Sequence, residues 1–290
     1  LRIADSIWNL AAWSMLLDTH CHLDAAEFEP DRAQIIARAQ NAGVKGILIP
    51  AVEVANFDQV RLLAHSFIQG AYALGIHPMY VERAQSDDLQ RLREALITHQ
   101  HDSKLVAVGE IGLDFFIPDI AKGAAREKQE YYYDAQLQLA KEFDLPVLLH
   151  VRRSQDVILK YLRRRLVRGG IAHAFNGSLQ QAEQFVELGF ALGLGGAMTY
   201  PRALQIRRIA QQIGSEALVL ETDAPDIAPE WMTAPRRNEP AQVKGIAEVL
   251  ATLRGVGLES ILETTGQAAL RVVPRLGPAI FGTAIASDRY

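Results

Sequence analysis

Cysteine is almost missing from this 290-residue chain, where Cys21 stands alone. A single thiol excludes an intramolecular disulfide framework and suits a reducing cytoplasm, the expected location. No run of ~18 apolar residues occurs, so no membrane-spanning helix is expected. An excess of positive charge is also lacking, since 30 Lys and Arg face 34 Asp and Glu for a net charge of −4. That balance does not describe a protein that coats nucleic acid nonspecifically, although it leaves room for a local basic site. No Ser/Gly-rich linker divides the chain, and no glycine-rich dinucleotide loop follows the first strand. With 49% hydrophobic residues, the composition is that of a globular protein with a large core.

The apolar and polar residues alternate between two periods along the chain. Residues 15–17 read as the end of a strand, and helical spacing follows at 31–42. Strands are expected at 44–52, 71–76, 104–110, 146–150, 170–173, 190–195 and 217–221. Helices are expected at 55–69, 87–100, 126–143, 154–165, 178–188, 202–213, 239–253 and 259–270. Strands that alternate with helices pair in parallel through right-handed crossovers, and the repeat fits an α/β (β/α)₈ TIM barrel. An open doubly wound sheet is the alternative, disfavoured by the sequence DTHCHLD where a dinucleotide loop would stand. The expected layout is an N-terminal extension at 1–14, a barrel domain at 15–271 and an irregular C-terminal tail at 272–290. Met15 looks like a natural start, and the acidic Asp5 and short apolar patch of the leader argue against a signal peptide.

In such a barrel the chemistry lies at the carboxyl ends of the strands. Those ends carry His20 and His22, Glu110, His150, His173 and Asp223. On an extended chain residues i and i+2 face the same side, so His20 and His22 can converge on one ion while Cys21 points away. Six His and carboxylate donors exceed what one tetrahedral ion needs, but two ions about 3.5–4 Å apart, bridged by a carboxylate, would use them all. Glu110 is the natural bridge, with His20, His22 and Asp223 on one ion and His150 and His173 on the other. Two divalent ions per chain are therefore expected, and Mg²⁺, Mn²⁺ and Zn²⁺ all suit such a donor set.

DTHCHLD, GIHP, VGEIGLDF, LLHVRRS, IAHAFNGS and LETDAP, in this order, resemble the TatD family of metal-dependent deoxyribonucleases within the amidohydrolase-like barrels. GGAMTYPRA and the pairing of HVRRS with NEP resemble its YjjV-like branch. The resemblance implies the same six ligands: His20, His22, Glu110, His150, His173 and Asp223. It departs from the family at Asn176, where Ser or Thr is usual, and at Thr264 to Gln267, which lack an asparagine common in the last helix.

The remaining candidates concern substrate. His77 in GIHP is a phosphate contact or a loop histidine braced by Pro78, and Asn176 joins the substrate-binding set. Arg152, two places after His150, matches a family arginine and suits a bidentate grip on phosphate, whereas Arg153 is expected to face solvent. Arg163 to Arg165 and Arg168 read as a solvated helix end, and Tyr131 to Tyr133 as core plus surface. Asp114 supports either Glu110 or a loop. The expected activity is phosphodiester hydrolysis of DNA, or RNA, from an end, by a water activated between two metals, with Asp223 as proton acceptor and Glu110 as bridge. The rivals are a hydrolase of small esters, lactones or amides, which in related barrels often bridges its metals with a carboxylated lysine, and a non-catalytic metal-binding interaction protein. A monomer is expected.

Overall fold

The computed structural model describes residues 15–234 and 236–282. Its eight strands are β1 (Leu17–Asp18), β2 (Gly46–Pro50), β3 (Gly70–Leu74), β4 (Leu105–Asp114), β5 (Val147–Arg152), β6 (Gly170–His173), β7 (Phe190–Leu194) and β8 (Leu218–Leu220). They lie side by side in chain order, with every neighbouring pair parallel. The seam between β8 and β1 closes just beyond the strands. Thr19 N donates to Leu220 O at 3.0 Å, Asp223 N to His20 O at 2.9 Å and His22 N to Ala224 O at 2.9 Å. The fold is the expected TIM barrel.

Helices α1 (Arg32–Asn41), α2 (Phe57–His65), α3 (Asp88–His99), α4 (Gly123–Glu142), α5 (Gln155–Arg165), α6 (Leu179–Glu187), α7 (Leu204–Gln212) and α8 (Val243–Arg254) form the outer ring. Alternation along each strand sorts the apolar side chains into two cores. Ile47, Ile49, Leu105, Val147, Leu149 and Leu192 face outward against the helices. Leu48, Ala71, Val106, Leu148, Ile171 and Val219 face into the barrel. The inner group is sealed from below by α9 (Leu258–Val272) and α10 (Leu276–Phe281), which contribute Ala268, Val272, Leu276, Ala279 and Ile280.

Two boundaries depart from the sequence reading. The stretch from residue 272 is not irregular throughout, because α10 occupies part of it. Its one proline, Pro278, falls in the first turn, where a backbone N–H has no intrahelical acceptor to lose. Residues 1–14, read as an extension, and 283–290 lie outside the described residues.

The fourth strand also does not stop at Glu110 but runs on to Asp114. Its pairing with β5 slips between Val108 and Ile111, so Glu110 sits at the irregularity. Gly112 makes the continued pairing possible. Its φ is 142°, and a Cβ there would stand 2.1 Å from the His150 carbonyl oxygen. No helix among the described residues is long and apolar enough to cross a membrane.

Candidate metal centre

The segment that leaves β1 is tied down before it reaches the site. Asp18 is buried, and its Oδ1 accepts from His20 N at 3.3 Å and Thr222 N at 3.0 Å. Its Oδ2 accepts from the Thr222 hydroxyl at 2.6 Å. Burial pushes its carboxyl up to about 8, against the pull of those three donors. The anchor fixes the turn from β1 against the loop after β8, and the next residues project inward from both sides. His20 Nε2 comes to 3.1 Å from Glu110 Oε2 and His22 Nε2 to 3.3 Å. Asp223 Oδ1 lies 3.7 Å from the first ring nitrogen and 3.6 Å from the second. Cys21 is buried and points away, its Sγ 3.8 Å from Ala224 O.

The other oxygen of Glu110 faces a different set. Its Oε1 is 2.9 Å from His150 Nδ1, 3.0 Å from His173 Nε2 and 3.2 Å from His77 Nε2. Hydrogen bonds behind these rings determine which of them can donate a lone pair. His150 Nε2 meets Asp114 Oδ2 at 3.1 Å, so its proton belongs there and Nδ1 is left free toward Glu110. His77 is the reverse case. Its Nδ1 accepts from Met79 N at 3.1 Å, which puts the proton on Nε2. That nitrogen, 3.0 Å from His150 Nδ1, is a hydrogen-bond donor and a poor ligand, despite its place in the cluster.

A mixed imidazole and carboxylate set fits divalent cations. Ligand atoms each about 2.1 Å from a common ion lie roughly 3.0–3.4 Å apart, the spacing seen around both oxygens of Glu110. The buried Nδ1 atoms of His20 and His173 find no hydrogen-bond partner among the described residues. The charges are equally crowded. Burial would raise Glu110, yet the rings of His77, His173 and His20 hold its carboxyl well below the usual range. Burial and the neighbouring His173 push His20 down to about 3. For His22, burial is outweighed by Glu110 and Asp223, which lift it to about 9. Burial, opposed by His173 and His22, takes Asp223 up to about 6. The buried His and Glu clusters thus suit a binuclear centre.

Glu221 was not anticipated from the sequence. It is buried beside the ligands; its Oε1 accepts from Ala174 N at 2.5 Å and lies 3.6 Å from His173 Nδ1. The trace it leaves is Gly193 on β7, where a Cβ would meet Glu221 Oε2 at 2.0 Å. Asp114, expected to support either Glu110 or a loop, holds the loop through Phe116 N and Ile117 N, and its other oxygen stands behind His150, because β4 runs on to end there.

Above the centre opens a cavity of about 1050 Å³ lined by His77, Arg152, Arg153 and Asn176 among others. Arg152 Nη1 is 3.7 Å from Asp114 Oδ2, and the guanidinium is half exposed. Asn176 is exposed on the rim. Arg153, expected simply in solvent, is exposed but carries its guanidinium 4.6 Å from the Phe116 ring centre. The basic run at the end of α5 is engaged elsewhere: Arg163 donates to Gln184, Arg165 pairs with Asp134 and Arg168 with Asp144. Tyr131 is exposed while Tyr132 and Tyr133 are buried.

Comparison with known proteins adds identity to geometry. The family described as TatD related DNase matches residues 17–274. The chain is 43% identical over 239 residues to the metal-dependent hydrolase YjjV of Escherichia coli, itself described as uncharacterized, covering 82% of this chain and 90% of that one. It is 34% identical to the 3′-5′ ssDNA/RNA exonuclease TatD of a Pantoea species, over 85% of this chain and 94% of that one. The crystal structure of the E. coli YjjV protein superposes with a TM-score of 0.84 at 39% identity, covering 90% of this chain and 99% of the other.

Proposed function

This chain belongs to the TatD family of metal-dependent hydrolases, and on that premise we propose that it hydrolyses phosphodiester bonds at the end of single-stranded DNA or RNA, using two divalent ions. The observation that carries the reading is the division of labour at Glu110. One oxygen faces His20 and His22, with Asp223 beside them, and the other faces His150 and His173. Bound there, Mg²⁺, Mn²⁺ or Zn²⁺ would supply Lewis-acid charge at the phosphoryl oxygens and a lowered pKa for the attacking water.

The remaining work falls to side chains. Asp223 faces the cavity and accepts the proton from the water, whereas Glu110, its carboxyl held well below the usual range and placed between the two ion positions, is too weak a base. His77 donates its Nε2–H to a phosphate oxygen, since its tautomer is set by Met79 N. Arg152 grips a non-bridging oxygen through a charge-assisted hydrogen bond, and Asn176 adds a neutral donor at the rim. The residue placed to bridge is a glutamate and not a carboxylated lysine, and the Pantoea relative is described as an exonuclease of single-stranded DNA and RNA; both support this reading over an ester or lactone hydrolase.

The test is a substrate panel run on metal-reconstituted and chelated protein, comprising single- and double-stranded DNA, RNA, bis-p-nitrophenyl phosphate and lactones. Chelator-sensitive release of nucleotides from single strands is expected to dominate. A higher kcat/KM on lactones than on every phosphodiester would transfer the assignment to the small-molecule class. Two ions per chain are expected by elemental analysis, and a single ion at saturation would remove the two-metal mechanism.

A further inference from the structure

Phe116 lies on the rim of the cavity and is 43% exposed, although it is an aromatic side chain next to a buried polar centre. Two guanidinium groups stack on it, Arg152 at 3.8 Å and Arg153 at 4.6 Å from the ring centre. Arg153 reaches this position from a left-handed backbone, φ 56°, which a non-glycine residue seldom adopts. A backbone outlier of this kind beside a site invites a functional explanation.

The placement of the ring is also coupled to the centre. Asp114 is fully buried, and its Oδ1 accepts from Phe116 N at 2.8 Å and Ile117 N at 3.2 Å. Its Oδ2 holds His150 Nε2 at 3.1 Å and stands 3.7 Å from Arg152. One carboxylate therefore fixes the phenyl ring, the guanidinium and a candidate ligand histidine in a single frame. Met79, 48% exposed, and Tyr80, from the loop after the neighbouring strand β3, line the same cavity.

We propose that Phe116, with Arg152 and Arg153, is a nucleobase-stacking subsite that holds the terminal base of a single strand while its phosphate sits over the centre. The chemistry matches that occupant in two ways. An exposed phenyl stacked with planar guanidinium groups offers the flat, sequence-tolerant surface on which unpaired bases stack. The same two cations neutralise the adjoining phosphates, which a neutral lactone would not use. Bases paired inside a duplex present no free face, so the subsite favours single strands. The inference rests on the nucleic-acid reading above and adds to it the group that recognises the base.

The experiment compares wild type, Phe116→Ala and Phe116→Trp, each checked for an unchanged melting temperature. Two fluorescein-labelled oligonucleotides of the same length are used, one intact and one abasic throughout. Binding is read by fluorescence anisotropy in chelator, and cleavage separately after metal is restored. Stacking of one base is lost on substitution by alanine with a penalty of about 5- to 150-fold in affinity. Phe116→Ala should therefore weaken the intact strand by that factor and the abasic strand less than about twofold, while Phe116→Trp holds or tightens binding. Equal loss on both strands, no loss on either, or no measurable binding of the intact strand to wild type would overturn the subsite. Base-dependent binding without any cleavage would instead sink the nuclease reading and leave the subsite standing. Cleavage by all three proteins with no dependence on the base would do the reverse.

Discussion

At the amino ends of the strands, Leu17, Leu48, Val106 and Leu148 turn into the barrel and meet Leu276, Ala279 and Ile280 of α10. At the carboxyl ends the space holds His20, Glu110, His150 and His173 instead. The polar groups at the two ends differ as much as the apolar ones. Near the floor, Asp102 is fully supplied, accepting from Tyr72 Oη at 2.8 Å and Lys104 N at 2.9 Å and meeting His65 Nε2 at 2.9 Å. Near the mouth, the buried Nδ1 atoms of His20 and His173 lack partners among the described residues, and burial raises two carboxyls, Asp18 to about 8 and Asp223 to about 6. Both values lie above that of the unfolded chain, so at neutral pH each costs folding energy, whereas the apolar floor supplies it. The barrel thus separates a floor that stabilises from a mouth held in a costly arrangement suited to chemistry.

The separation breaks most visibly, if it is wrong, at Asp223. Asp223→Asn keeps the shape and one ligating oxygen but removes the basicity. At saturating metal, with occupancy measured, kcat should drop by about 10²–10⁴-fold with KM moving less. In metal-free protein the melting temperature should hold or rise, since a carboxyl whose raised value costs folding energy is removed. A fully loaded variant with near wild-type kcat would place the base elsewhere.

The floor predicts the opposite pattern. Leu276 is 1% exposed between α9 and the strand side chains, so Leu276→Ala leaves a cavity worth about 2–5 kcal/mol in urea unfolding. Turnover below the new melting transition should match wild type within about twofold, as no transition-state contact is touched. A folded variant with a large loss of kcat would mean that the two ends are mechanically coupled.

Asp114 lies between these extremes, supporting the site without facing substrate. In Asp114→Asn the amide oxygen can still accept from Phe116 N, but an NH₂ then faces His150 Nε2. The ring must take the other tautomer and turn a proton toward Glu110. Metal affinity by calorimetry should fall about 10–100-fold, the usual cost of losing an outer-shell carboxylate. Unchanged affinity would show that Asp114 serves only the Phe116 loop.

Much of this architecture was legible because periodicity and strand-end position are local signals. The barrel and the convergence of His20, His22, Glu110, His150, His173 and Asp223 came from spacing alone. What was not legible depended on distant chains. Glu221 is invisible until β7 shows a glycine whose missing Cβ its carboxylate fills. The role of Asp114 required knowing that β4 continues past Glu110 after a slip in register, and alternation does not reveal a slip. His77 could be assigned only once the Met79 amide fixed its tautomer. The helix α10 was missed because its Pro and Gly residues read as breakers, while the barrel floor they cover lies at no fixed offset in sequence.

The smallest effect tests the polar part of the floor. Burial alone would raise Asp102, but His65, the Lys104 amide and the Tyr72 hydroxyl hold its carboxyl below the ordinary value. A folded-state pKa lower than the unfolded one, about 3.9, means the stabilisation is present above that pH and is lost as pH falls through the folded value. Asp102→Asn keeps an acceptor for Tyr72 and discards the charge, so at pH 7 the variant should be weaker by only about 0.2–1 kcal/mol, because His65 is partly exposed. Below about pH 4 the two proteins should converge, since the wild-type carboxylate is then being protonated. Comparing variant with wild type at each pH cancels the carboxylates of the mouth, which titrate in both. A gap that stays constant from pH 7 to pH 3 would show that Asp102 acts through packing and neutral hydrogen bonds, leaving the floor stabilised by hydrocarbon alone.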